Sequence, residues 1–269
     1  MKKSNSLNFN EIWKTSYFIF IDFEKNMKGD FHIIGIAAEE YLNIFPEEKR
    51  EDVGLYDYVG GERFDLVQGI LNEKLKKAAE AKNMMCLSTA SLIEWLAELH
   101  EKEHICIVAY SIAEAEAISS IADYEFWEHG FPADNLYDIP YLNLLNAAKK
   151  WVRKHYKGKL EAMGPGKKLK KGERYSKYSL PSVMRLTDYQ ATQGHAAGKT
   201  MQKINTVIDA LERKGCWEDL TARQKSKFTQ VLNHNRWDVI AMIELFQQIY
   251  SEDKTRFNYS VKKMKDWLK

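Results

Sequence analysis

At 269 residues, with 45% apolar and 29% charged side chains, the chain can bury a full core, and its composition excludes a disordered or fibrous protein. The formal charge of +2 conceals an uneven distribution: Lys149 to Lys177 holds 12 Lys or Arg against 2 acidic residues, leaving 28 basic and 36 acidic residues elsewhere. A basic patch on an acidic body points to local contact with a polyanion.

Three cysteines, Cys86, Cys106 and Cys216, are odd in number, widely spaced and without a Cys-x-x-Cys pair, so neither a disulfide framework nor a cysteine zinc site is indicated. The first 16 residues are polar and no run approaches membrane-spanning length, which gives the expectation of a cytoplasmic protein with no membrane partner.

In chain order, Phe18-Ile19-Phe20-Ile21-Asp22-Phe23-Glu24 reads as a buried strand that ends with carboxylates at alternate positions. Side chains two apart in a strand share a face, so Asp22 and Glu24 project together and repel unless a cation neutralises them. A divalent ion with oxygen ligands does this. A polar turn containing Gly29 leads to a second strand, Phe31 to Ala37, making an antiparallel hairpin. A charged segment follows, with a short strand near Leu55 to Val59. Apolar spacing then predicts helices over Phe64 to Lys82 and, capped at Ser88 or Thr89, through Leu99.

Ile105 to Ala109 is a continuous apolar run, the mark of a strand covered on both faces. A helix over Ile112 to Ala122, a strand at Leu136 to Ile139 and a helix from Tyr141 towards Tyr156 complete an alternating α/β pattern. From Lys157 to Lys177 the composition turns to Gly, Pro and Lys and predicts a mobile loop. Helices are expected at Ser182 to Leu186 and at Thr200 to Lys214, the latter ended by Gly215. A further long helix opens on the capping box Thr221-Ala222-Arg223-Gln224. Lys262, Lys263 and Lys265 read as a helix face beside Met264 and Trp267.

His234 and Asp238, in Asn233-His234-Asn235-Arg236-Trp237-Asp238, are four apart and so share a helix face. Taken with Ile19 to Glu24, Ile107-Val108-Ala109-Tyr110-Ser111-Ile112-Ala113-Glu114 and Tyr178-Ser179-Leu180-Pro181-Ser182-Val183, they form an ordered set over about residues 16 to 250. This set resembles the DEDD-type 3′-to-5′ exonuclease superfamily of ribonuclease-H-like fold, closest to the branch with predicted RecB-associated nucleases. The resemblance implies one α/β domain over 1–269: a mixed sheet with a hairpin start, flanking helices, a basic loop or insertion at about 157–177 and a short basic tail at about 251–269.

It also implies two Mg2+ or Mn2+ ions held by Asp22, Glu24, Glu114 and Asp238, with Asp22 bridging both, and His234 as general base. Glu114 stands where the family usually has an aspartate, with Glu116 as its alternative, and the final motif pairs a histidine with the three-residue gap of the tyrosine subfamily. Gly194-His195-Ala196 is similar to the histidine-type motif, but no acid follows where a ligand is needed. Asp138 reads as structural.

Lys149, Lys150, Arg153, Lys154, Lys167, Lys168, Lys170, Lys171 and Arg174 are the expected phosphate contacts, with Tyr156, Tyr175 and Tyr178 available to stack on bases. The expected partner is a nucleic acid, DNA or RNA, engaged at a single-stranded end. Two other functions share these residues: a non-catalytic nucleic-acid-binding module with a degenerate site, and a structure-specific endonuclease on the same fold.

Overall fold

The structure is a computed structural model, and it describes residues 6–25, 30–39, 51–55, 63–129, 134–162, 178–187 and 200–269. The short helix α1 (Phe9–Thr15) precedes β1 (Tyr17–Lys25) and β2 (Phe31–Glu39), whose β-branched and aromatic residues pair antiparallel with Asp22 opposite Gly35. β3 (Glu51–Leu55) and β4 (Arg63–Ile70) extend the sheet beyond β2, and α2 (Lys76–Ala81) leads to the two-residue β5 (Met85–Cys86). Then come α3 (Thr89–Glu103), β6 (Ile105–Ala109), α4 (Ala113–His129), α5 (Asp134–Asp138), β7 (Pro140–Asn143), α6 (Leu144–His155), α7 (Lys157–Ala162) and α8 (Leu180–Leu186). The last elements are α9 (Thr200–Lys214), α10 (Ala222–Asp253), β8 (Val261–Lys263) and α11 (Met264–Trp267).

The strands form one mixed sheet in the order β3-β4-β2-β1-β6-β7-β8, with β5 beside β4. β2 runs antiparallel to both β1 and β4, β3 antiparallel and β5 parallel to β4, β6 and β7 run parallel to β1, and β8 returns antiparallel along β7. Alternation along β1 divides its side chains between two layers. Phe18 and Phe20 pack with Ala37 and Leu66 beneath α6, α8 and the second half of α10, where Trp237, Val239 and Phe246 close the layer. Ile19 and Ile21 pack on the opposite face with Ile34, Ile36 and Ile107 against α3 and α4. A third cluster joins Ile33 and Ile70 to α9 and to Phe228 and Val231 near the start of α10.

The expected α/β architecture, the opening hairpin, the capped helix α3 and the buried strand β6 are all present. Ser88 caps α3 through the Ser91 amide at 2.9 Å, and the Thr221–Gln224 capping box opens α10. Gly215 ends α9 at φ +85°, a conformation open to glycine.

Four expectations need correction. Residues 64–70 form a strand, not a helix: Phe64, Leu66 and Ile70 satisfy a two-residue period as well as a helical one. The outer edge of buried β2 also has to be paired, which settles the competition. Leu136 to Ile139 belongs to the turn of α5 and its exit, and the strand starts at Pro140, whose missing amide is tolerated at a strand's first residue. α6 accordingly begins at Leu144. The segment from Lys157 starts with a helical turn, α7; residues 163–177 lie outside the described residues, as do 56–59 of the strand expected at Leu55 to Val59.

The tail is also more structured than a basic extension. Residues 251–253 finish α10, Lys254–Tyr259 is a 3-10 helix, and Lys262 and Lys263 lie on β8, which lengthens the sheet. Among the described residues no helix is long and apolar enough to cross a membrane.

Candidate metal centre

The carboxylates meet where β1 and β6 end and the middle of α10 crosses the sheet. Phe18, Phe20, Asp22 and Glu24 share one face of β1, so a strand that begins inside the apolar layer delivers its last two side chains of that face beside α10. On α10, His234 and Asp238 are one turn apart, with His234 Nε2 3.5 Å from Asp238 Oδ2. Ligand atoms of Glu24, His234 and Asp238 all lie within 4.8 Å of one another, close enough to share an ion. Glu114 enters from the first turn of α4, where Oε2 accepts from the Ser111 hydroxyl at 3.1 Å and the Ser111 amide at 3.3 Å.

The electrostatics tie the four acids into one group. Burial raises the Asp22 carboxyl well above its ordinary range, and the charges of Asp238, Glu24 and Glu114 add to this. Burial and Asp238 raise Glu24 to about 8, against the nearby Lys203 ammonium. Burial and Glu114 raise Asp238 to about 7. Burial also raises Glu114, opposed by bonds from its own backbone and Ser111 and by Lys25. Acids raised in this way by burial and by neighbouring charge are short of positive charge, and a divalent ion with oxygen ligands would supply it. The side chains close enough to share one ion are Glu24, His234 and Asp238, with Asp22 and Glu114 beside them in charge interaction.

The placement separates the alternatives raised by the sequence. Glu114, not Glu116, is coupled to Asp22 and Asp238; Glu116 is exposed on α4. Asp138 is distant in role, ion-paired to Lys263 and Lys265 on the closing strand and its following helix. His195 lies outside the described residues, as do Tyr175, Lys167, Lys168, Lys170, Lys171 and Arg174.

On α6, Lys154 pairs with Asp253 at 2.7 Å, Arg153 donates to the Tyr178 hydroxyl at 3.0 Å and Lys150 sits 4.3 Å over the Tyr259 ring. Lys149 is half-buried on the same helix. Tyr178 is a correction. It is only 7% exposed and packs inward, and its carbonyl accepts from the Tyr110 hydroxyl, so it offers no stacking face.

Sequence reasoning passed over Asn235 and Gln68. Asn235 is fully buried; its Nδ2 donates to Asp22 Oδ2 at 2.7 Å and to the Asp22 carbonyl at 3.1 Å. Its Oδ1 accepts from Gln68 Nε2 at 2.9 Å, and the same Gln68 nitrogen donates to the Leu232 carbonyl at 2.8 Å. Gly35 makes the approach possible: a Cβ there would stand 2.5 Å from Asn235 Oδ1 and 2.9 Å from Val239 Cγ2. A polar residue on the buried side of an amphipathic helix was the available signal, since such a group needs a partner.

The chain matches no family model, no curated protein and no solved structure.

Proposed function

We propose that the protein is a metal-dependent nuclease that hydrolyses phosphodiester bonds, a 3′-to-5′ exonuclease acting on single-stranded DNA or RNA ends. The observation that carries the reading is the convergence of Asp22, Glu24, Glu114 and Asp238, from three separate parts of the chain, into one mutually repelling group with His234 at its rim. The strand order β4-β2-β1-β6-β7, three antiparallel strands followed by two parallel to β1, agrees with the ribonuclease-H-like fold that the sequence resembles.

In this reading Asp22, Glu24, Glu114 and Asp238 hold two Mg2+ or Mn2+ ions. When bound, such ions supply the charge that favours a hydroxide nucleophile and a departing alkoxide. The protein's own groups do the rest. Asp22, fixed by Asn235, offers a carboxylate of set orientation. His234, beside Asp238, would accept the proton lost by the attacking water. Lys25 and Lys203 flank the acids and limit their repulsion before substrate arrives. The cations of α6 and of residues 167–174 neutralise backbone phosphates.

The test is degradation of an end-labelled single-stranded oligonucleotide in Mg2+ or Mn2+. Activity is expected to stop with EDTA and in Asp22→Ala and Asp238→Ala; activity that persists in both variants sinks the reading. Cleavage of a circular strand moves the assignment to an endonuclease. Calorimetry addresses the non-catalytic alternative, for which the expected signature is oligonucleotide binding without saturable metal binding.

A further inference from the structure

We infer that Asn235, locked by Gln68 and admitted by Gly35, is a positioning residue that fixes which oxygen of Asp22 is offered to the metal centre. The inference rests on the metal reading of Asp22 and deepens it. A side-chain amide has two N–H donors and one acceptor oxygen, and here the amide protons are fully used. Gln68 gives one to the Leu232 carbonyl and one to Asn235 Oδ1; Asn235 gives both to Asp22, one to the backbone carbonyl and one to Oδ2.

The arrangement has a single polarity. Turning the Asn235 amide over would set Oδ1 against the Asp22 carboxylate and its nitrogen against the Gln68 nitrogen, acceptor on acceptor and donor on donor. Asp22 Oδ2 therefore accepts from Asn235. Among the described residues no protein group donates to Oδ1, which leaves that oxygen for an ion in the proposed site. The Asn235 bond also opposes the burial that disfavours the ionised acid.

The position of the network adds to the case. Asn235 follows His234 on α10 and reaches Asp22 and Gly35 of the sheet, so the helix carrying two site residues is held in register with the strand carrying two others. The close contact at Gly35 allows the amide to reach Asp22 at 2.7 Å. Second partners of this kind orient ligands, and their loss costs metal affinity about ten- to a hundredfold.

The experiment compares wild type, Asn235→Leu, Gln68→Met and the double variant by Mn2+ calorimetry, thermal melting and oligonucleotide hydrolysis at saturating Mn2+. Asn235→Leu is expected to weaken Mn2+ binding by about tenfold or more and to lower kcat while KM for the oligonucleotide is unchanged. Replacing both amides with apolar groups of similar shape leaves neither amide unpartnered, although Asp22 Oδ2 loses its donor, so the double variant is expected to melt closer to wild type than Asn235→Leu and to show the same losses. A purely structural role predicts the reverse, altered melting with unaltered kcat and metal affinity.

The inference is overturned if the double variant melts, binds Mn2+ and turns over like wild type. Should that variant not fold, Gln68→Met decides: a partial loss of Mn2+ affinity is expected, and wild-type affinity overturns the inference. Wild-type protein that takes up no Mn2+ removes the metal reading itself. Wild type and variants that bind alike remove only the role of Asn235.

Discussion

The two faces of β1 are built for opposite purposes from neighbouring residues. On one, Ile19 and Ile21 lie fully buried among Ile34, Ile36, Leu92, Leu96, Ile107 and Ile118, with apolar contact throughout the layer. On the other, the same strand starts with Phe18 and Phe20 in an apolar layer and finishes with Asp22 and Glu24 among other acids and the buried amide of Asn235. Apolar burial stabilises without regard to direction, whereas the acidic end opposes folding of the metal-free chain and gains from orientation. A fold that crowds like charges in this way draws its stability elsewhere, and the face beneath α3 and α4 is one source.

The sharpest way to break this contrast is to exchange effects between adjacent positions. Asp22→Ala is expected to lower hydrolysis on the order of a thousandfold while changing the stability of the metal-free protein little, because losing a desolvated, repelled carboxyl offsets the Asn235 donor it leaves behind. Ile21→Ala, one residue away, is expected to cost about 2–5 kcal/mol of folding stability while leaving kcat of the folded fraction near wild type. Denaturant melts run alongside activity assays check both. A stable Ile21→Ala or an active Asp22→Ala ends the division of labour.

Two glycines sharpen it further. A Cβ at Gly35 collides with Asn235 and Val239 on the site face, whereas at Gly69 it meets Leu87 Cδ1 at 3.2 Å and Ile34 Cγ2 at 3.3 Å on the other. Gly35→Ala is expected to cost about 1–3 kcal/mol and most of the activity. Gly69→Ala, facing side-chain ends that can shift, is expected to cost under about 1 kcal/mol and to keep activity.

The smallest effect is a pH trend in EDTA. With Glu24 at about 8 and Asp238 at about 7, the folded chain keeps protons that the unfolded chain releases above about pH 4. The metal-free protein should therefore melt several degrees lower at pH 8 than at pH 5.5. Asp22 and Glu114 act in the same direction, while Lys25 and Lys203 oppose it. Asp253, held low by Lys154, Thr255 and Arg256, contributes stability lost only in acid below that window. Mn2+ at pH 8 should restore the melting midpoint, since a ligand of the folded state stabilises it. A flat profile across pH 5.5 to 8 refutes the crowding of the acids.

Much of this was legible in the sequence because local and tertiary demands agree. β1, β2, β6, α3, α9 and α10 each carry a strong period or a cap, and the alternation of Asp22 with Glu24 and the one-turn spacing of His234 and Asp238 follow from backbone geometry alone. β4 was illegible because its apolar spacing serves two periods, and only the need to pair β2 selects one. β8 was illegible because three residues, two of them lysines, carry no period; its register comes from β7. Asn235 was hidden between two residues that attract attention for their chemistry. Its importance lies in a partner more than 200 positions away.

That separation bears on how the protein assembles. The bond between Asn235 and Asp22 spans 213 positions of sequence, and the one to Gln68 spans 167. Contacts this distant form late, after the loop entropy of the intervening chain has been overcome. The proposed ligands are spread from Asp22 to Asp238, so on that reading a divalent ion is expected to bind only once β1, α4 and α10 have come together. In a refolding experiment, Mn2+ uptake would lag behind secondary structure and report the arrival of the native state alone.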